Sequence, residues 1–111
     1  MSPTQRSLEL LRSMGYVAEV VERWVPQARV RLDFCGCIDI LAVHSEHGFL
    51  GVQATSASNV SARVKKAEVE PRLDVFLAAG GKFEVWGWGK KGAKGERKLW
   101  KVRRVEIPPP S

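Results

Sequence analysis

The sequence predicts a mixed α/β domain with helices packed on one sheet. Two β-patterned runs, 36–43 and 49–55, flank a five-residue turn that contains glycine, which is the mark of a hairpin. A helical pattern over 60–79 separates this hairpin from two later β-patterned runs, 83–88 and 99–107. Strands on both sides of a helical segment, with one more amphipathic stretch at the start, make an α/β arrangement. With 111 residues the chain has material for one modest core, so 1–111 reads as a single domain.

The elements follow in order. Ser2 can cap a helix, Pro3 fits its first position, and Gln5 completes a capping box. Leu8, Leu11 and Met14 then share one face, with Leu10 nearby, and Gly15 is the stop. Residues 16–24 are rich in β-branched and aromatic side chains and read as one strand, ended by Pro26. Residues 27–35 read as a polar connection carrying Arg29, Arg31 and Asp33.

In the hairpin a symmetric loop sets residue 43 against 49, 41 against 51 and 39 against 53. One face is then apolar throughout: Ile38, Ile40, Ala42, Leu50, Val52 and Ala54. The other is apolar at the turn end (Leu41, Val43, Phe49) and polar at the open end (Asp39, Gln53, Thr55). Ser56, Ser58 and Asn59 lie in a polar loop, Val60 to Val69 is helical, and Pro71 opens a second helical stretch that Gly80 and Gly81 end. The runs 83–88 and 99–107 form a late hairpin around a Gly- and Lys-rich loop, 89–98, and Pro108 to Pro110 form a frayed end.

Charge is unevenly placed. Residues 1–81 carry nine basic and nine acidic side chains, whereas 82–111 carry nine basic against three acidic, so the whole excess of +6 lies in the last quarter. A localised basic segment suits a phosphate backbone, and it also suits a solvated surface. Trp86, Trp88 and Trp100 interleave with these charges; they read either as core or as platforms for unpaired bases. No apolar run is long enough to span a membrane, and no basic segment precedes a long apolar stretch at the N-terminus, so a cytoplasmic protein is expected. Cys35 and Cys37 are too close in sequence for an ordinary disulfide, which fits a reducing compartment. With His44 and His47 they look like a zinc set, but a strand from 36 to 43 holds the two pairs at opposite ends, so no zinc is expected.

Asp39 and Gln53, projecting together from the open end of the hairpin, offer oxygen ligands of the kind Mg²⁺ takes. A metal there would serve phosphodiester hydrolysis. A lone strand Asp bonded to neighbouring backbone is the plainer alternative. Asp33 reads as a second acidic contributor or as a surface partner of Arg29 and Arg31. Ser56, Ser58 and Asn59 suit a phosphate at a helix N-terminus or plain capping.

The motifs Gly36-Cys37-Ile38-Asp39-Ile40-Leu41-Ala42 and Gly51-Val52-Gln53-Ala54-Thr55 resemble those of the PD-(D/E)XK, or restriction-endonuclease-like, superfamily. Its core is helix, three strands, helix, strand. The stretch from Arg31 to Asp39, with Gly51 to Ser56 and Asn59 to Lys66, is similar to small phage and prophage proteins described as Holliday-junction-resolvase-like nucleases. The resemblance implies a restriction-endonuclease-like core with a central mixed sheet flanked by helices, here followed by the basic C-terminal hairpin. It implies one or two Mg²⁺ or Mn²⁺ ions held by Asp39, by Gln53 in place of the usual Glu, by the carbonyl of Ala54 and by Glu9 on the first helix. The lysine usual two residues after the Glu or Gln is Thr55 here, and the resemblance moves that role to Lys65 or Lys66 on the next helix. It implies a double-stranded or branched DNA substrate and suits a homodimer; the polar loop with Ser56, Ser58 and Asn59, Arg63 on the helix after it, and Lys90, Lys91 and Lys94 of the basic late hairpin are the residues expected to contact that DNA. The expectation is a Mg²⁺-dependent DNA endonuclease, with a non-catalytic DNA-binding module as the alternative. A phage accessory protein that binds another protein is a third.

Overall fold

The Ser2 hydroxyl accepts the Gln5 amide at 3.2 Å, and Pro3 opens the first helix, as its sequence requires. In the computed structural model, which describes residues 1–110, this helix, α1, runs Pro3–Ser13 and buries Ser7, Leu8 and Leu11. Met14 does not share that face. The helix ends at Ser13, Gly15 turns the chain with φ 92°, and Met14 is left 36% exposed between them.

After α1 come β1 (Val17–Val20), β2 (Arg23–Val25), β3 (Val30–Leu32), β4 (Ile40–His44) and β5 (Gly48–Ser56). A 3₁₀ turn at Ala57–Asn59 leads into α2 (Val60–Glu68), then α3 (Pro71–Ala78), β6 (Lys82–Lys91) and β7 (Leu99–Ile107). Five strands make one mixed sheet in the order β1-β4-β5-β6-β7. Only β5 and β6 are parallel, as expected for two strands joined through helices. β2 and β3 form a separate two-stranded ribbon. Among the described residues, no helix is long and apolar enough to cross a membrane.

Four expectations about the strands and their connections change. The strand expected over 16–24 is two strands, and the connection expected at 27–35 contains β3. The break has a local cause. The Asp39 carbonyl accepts both the Val21 amide (2.8 Å) and the Glu22 amide (3.4 Å), so the β1–β4 ladder ends there and the chain turns out into the ribbon. The first hairpin strand begins at Ile40 instead of Gly36. Residues 34–38 form a tight turn in which Phe34 and Ile38 exchange backbone hydrogen bonds, with Cys35 (φ 53°) and Gly36 (φ 75°) both left-handed. A side chain at Gly36 would run into Glu70 and Arg72, so glycine is needed there for space as well as for conformation. In the late hairpin β6 extends to Lys91, which takes Lys90 and Lys91 out of the loop and into a strand.

The sheet is covered on both faces. Leu8 and Leu11 of α1 pack on Ala18, Ile40, Ala42, Leu50, Val52 and Trp86. Val60, Ala67, Leu73 and Leu77 of α2 and α3 pack on Phe83, Val85 and Ile107. Ile38 belongs to this second layer and not, as strict alternation predicts, with Ile40 and Ala42, because regular pairing stops at Ile40. Trp86 is core: it is fully buried and its indole donates to Glu84. Burial alone would raise the Glu84 pKa, but the hydrogen bonds from Arg104 and Trp86 outweigh it and hold the carboxylate below its ordinary value.

One end of the sheet gathers the features that matter. β1 runs out there into the ribbon, β4 begins there after Asp39, and β5 ends there at Ser56. The last β5–β6 pair is Ser56–Trp88, and β6 continues past it to Lys91. The open end of the β4–β5 hairpin is therefore flanked by the β2–β3 ribbon on one side and the basic β6–β7 hairpin on the other.

A candidate metal centre at the open end of the hairpin

The expected register holds along β4 and β5: Val43 faces Phe49, Leu41 faces Gly51, and the regular ladder ends at Ile40–Val52. Asp39 lies one step beyond. Its amide donates to the Val52 carbonyl at 2.9 Å, so it is not a simple ladder partner of Gln53. Instead its carboxylate Oδ2 accepts the Ala54 amide at 2.9 Å. Asp39 and Gln53 still line one cleft of about 330 Å³, with Ala54 beside them.

Two more carboxylates enter this cleft. One oxygen each from Glu22, Asp33 and Asp39 lie within 4.8 Å of one another. Glu22 stands where β1 turns into the ribbon, and Asp33 stands where β3 leaves it. Arg31 pairs with Glu22 at 3.7 Å, so the ion pair expected for Asp33 goes to another acid, and Asp33 is left facing Asp39. Burial, and then the charge of Asp33, push the Asp39 pKa up to about 8, against the Ala54 hydrogen bond that favours the anion. Three carboxylates gathered this closely repel one another unless a proton or a cation intervenes.

Gln53 is 2% exposed, and among the described residues its Oε1 has no hydrogen-bond partner. A buried amide oxygen left without a donor costs free energy on the order of 1–3 kcal/mol. Gln53 lines the same cleft as the three acids and could supply a neutral oxygen to that donor set. All four are hard oxygen donors, which suits Mg²⁺ or Mn²⁺ and does not suit a soft metal.

The opposite wall is cationic. Arg63 and Lys66 of α2 line the cleft, one turn apart on the same helix face. Both Lys65 and Lys66 are exposed, but Lys65 does not line the cleft, and this separates the two lysines that the sequence left equivalent. Thr55 is buried beside the site, at 6% exposure. Glu9 is not brought to this cleft. It lines a different groove with Arg6, Trp88 and Trp100, and Glu22 occupies the acidic place the sequence reading gave to it. Ser56, Ser58 and Asn59 hydrogen-bond one another (3.3 and 3.0 Å), and none supplies a side-chain cap to α2. Cys35 and Cys37 sit before β4 and His44 and His47 at its far end, so the four do not converge. Burial pushes the Cys37 thiol up to about 12, which keeps it protonated.

Glu22 is the member of this cluster that the sequence did not reveal, because in a continuous strand it would be an ordinary surface acid. The available signal was the pair Arg23-Trp-Val25 and Val30-Arg-Leu32 around the Pro26–Arg29 turn, a second hairpin that brings residues 22 and 33 together. No family model, curated protein or solved structure matches the chain.

Proposed function

We propose that the protein is a divalent-cation-dependent nuclease acting on DNA. The observation that carries this reading is the orphaned, buried Gln53 Oε1 in the cleft where Glu22, Asp33 and Asp39 converge. The element order supports it as well: with the ribbon, α3 and the final strand β7 set aside, the chain runs α1, β1, β4, β5, α2, β6, the order of a restriction-endonuclease-like core.

In this reading Asp39, Asp33, Glu22 and Gln53 hold Mg²⁺ or Mn²⁺. When bound, the ion polarises a phosphodiester and makes a water more acidic. Asp39 is fixed for that role at three points, its amide, its carbonyl and its carboxylate. Lys66 and Arg63 face the same space and would neutralise phosphate oxygens. The overhanging β6–β7 hairpin would grip the backbone beyond the cleft through Lys90, Lys91 and Lys94.

Buried Thr55, in the position where a lysine is usual, favours a second reading, a DNA-binding module without hydrolytic activity. Incubation of supercoiled, linear and four-way-junction DNA with Mg²⁺ or Mn²⁺ separates the two. The nuclease cuts at least one substrate, and Asp39→Ala does not. Binding by both proteins without cutting selects the second reading, and binding by neither removes both.

The hairpin has its own test. Replacing Lys90, Lys91 and Lys94 together by Ala should lower DNA affinity and reduce the slope of log K against log salt by about two to three. An unchanged slope rules out a backbone contact by this hairpin.

A further inference from the structure

We propose that the Trp24–Arg31 face of the β2–β3 ribbon is a platform for an unpaired nucleobase of the strand whose phosphate lies at the Asp39 cleft. The inference rests on the nuclease reading for the strand's position, but not for the platform itself.

The ribbon pairs Arg23 with Leu32, Trp24 with Arg31 and Val25 with Val30. One step nearer its base stand Glu22 and Asp33. Side chains two positions apart on a strand share a face. The face that presents Glu22 and Asp33 to the cleft is therefore continued outward by Trp24 and Arg31, about 7 Å further along. Arg31 confirms this continuity: it bonds back to Glu22 at 3.7 Å, and its guanidinium lies 6.0 Å from the Trp24 ring centroid. A strand leaving the cleft along this face meets first a guanidinium and then an indole, within the reach of one nucleotide.

Trp24 is the most exposed of the four tryptophans. Trp86 is fully buried, Trp88 donates to Ser7, and Trp100, 44% exposed, already has Arg6 over its ring at 3.9 Å and Lys90 beside it. Trp24 is 52% exposed on a ribbon that contributes nothing to either core layer. Leaving so large an apolar side chain half in water forgoes much of the stabilisation its burial would give. Its surroundings select the occupant. Arg23, Arg29 and Arg31 are the ribbon's only charged residues from 23 to 32, and among the described residues Arg23 and Arg29 make no ion pair. Arg29 even holds a left-handed φ of 52° in the turn, a place where glycine would relieve strain but remove the charge. An indole that shares its face with Arg31, on a ribbon that also carries Arg23 and Arg29 without ion-pair partners, suits a polyanion that carries flat rings. Duplex bases are already stacked on each other, so the platform favours single-stranded or unpaired segments.

Fluorescence anisotropy with labelled oligothymidylate and with a blunt duplex, in EDTA so that no cleavage occurs, tests this. Wild type should prefer the single strand, and its tryptophan emission should be quenched on binding. Trp24→Ala should weaken single-strand binding about 5- to 100-fold and duplex binding by less than about twofold. Trp24→Phe should keep most of the affinity and lose most of the quench. Because the side chain is exposed, circular dichroism and Tm should be unchanged in both variants. Single-strand affinity equal in Trp24→Ala and wild type, a parallel loss on duplex, or no binding by wild type overturns the proposal. Trp24-dependent single-strand binding without Mn²⁺-dependent stabilisation of the wild type would overturn the nuclease reading and leave the platform standing.

Discussion

Asp39→Asn is expected to make the protein more stable than wild type in metal-free buffer at pH 8, while abolishing its response to divalent ions. Asp39 is 6% exposed and shares its cleft with Asp33 and Glu22, so ionising it costs more in the folded chain than in the unfolded one. Its pKa rises from 3.8 to about 8 on folding. Below the lower value the carboxyl is neutral in both states and the penalty is absent. It grows as pH rises between the two values and is complete above the upper one. Asparagine still offers an oxygen to the Ala54 amide and carries no charge. The gain should be on the order of a few kcal/mol at pH 8, read as a Tm several degrees higher, and should vanish near pH 4.

Mn²⁺ reverses the comparison. An ion bound only by the folded state stabilises wild type in proportion to the logarithm of its concentration over Kd. The effect should be larger at pH 8 than at pH 5, where protons compete for the same oxygens. Asp39→Asn should show little of it, and cleavage should fall about a thousandfold or more, the equivalent of several kcal/mol of lost charge stabilisation. Thermal melts of both proteins, with EDTA and with Mn²⁺ at each pH, check the whole pattern. Equal Mn²⁺ stabilisation of the two proteins would show that this cleft does not hold the ion.

The parts of this site that the sequence made legible are those fixed by short-range pattern. The alternation of 38–43 and 49–55 around a glycine turn set the β4–β5 register, and with it the neighbourhood of Asp39 and Gln53. The capping residues Ser2 and Pro3 set the start of α1. What escaped was decided by contacts distant in sequence or by departures from regular pairing. The Asp39 carbonyl takes two amides from the end of β1, and that single junction splits one strand into two, lifts out the ribbon and delivers Glu22. Glu9 and Glu22 are equally acidic in sequence, and only the packing of α1, with its N-terminus and not its middle at the cleft, distinguishes them. Charge points to the tryptophans of the basic C-terminal quarter. The tertiary structure uses Trp86 and Trp88 there for packing, leaves Trp100 partly exposed beneath Arg6, and leaves Trp24, outside that quarter, the most exposed of the four.

Lys66 and Lys65 give the second large effect. Adjacent on α2, they point about 100° apart around the helix, so one can face the cleft only if the other does not. Lys66 shares its side with Arg63, and both line the cleft; Lys65, exposed like Lys66, does not line it. Thr55 is buried at 6% exposure, where an ammonium would lose most of its hydration. In the nuclease reading, Lys66 is thus the lysine that would neutralise a phosphate beside Asp39. Lys66→Ala should lower single-turnover cleavage about a hundredfold or more, as the loss of one preorganised donor to developing charge does elsewhere. It should leave Mn²⁺-dependent stabilisation intact, because lysine donates nothing to the ion. Lys65→Ala should stay within about threefold of wild type. Lys66→Arg should recover part of the rate, since the charge returns with a different shape. Thr55→Lys in the Lys66→Ala background should not restore it. Equal losses from Lys65→Ala and Lys66→Ala would mean that the two act only through the general positive field of α2. A loss of Mn²⁺ stabilisation in Lys66→Ala would instead assign Lys66 to the integrity of the cleft and not to the phosphate.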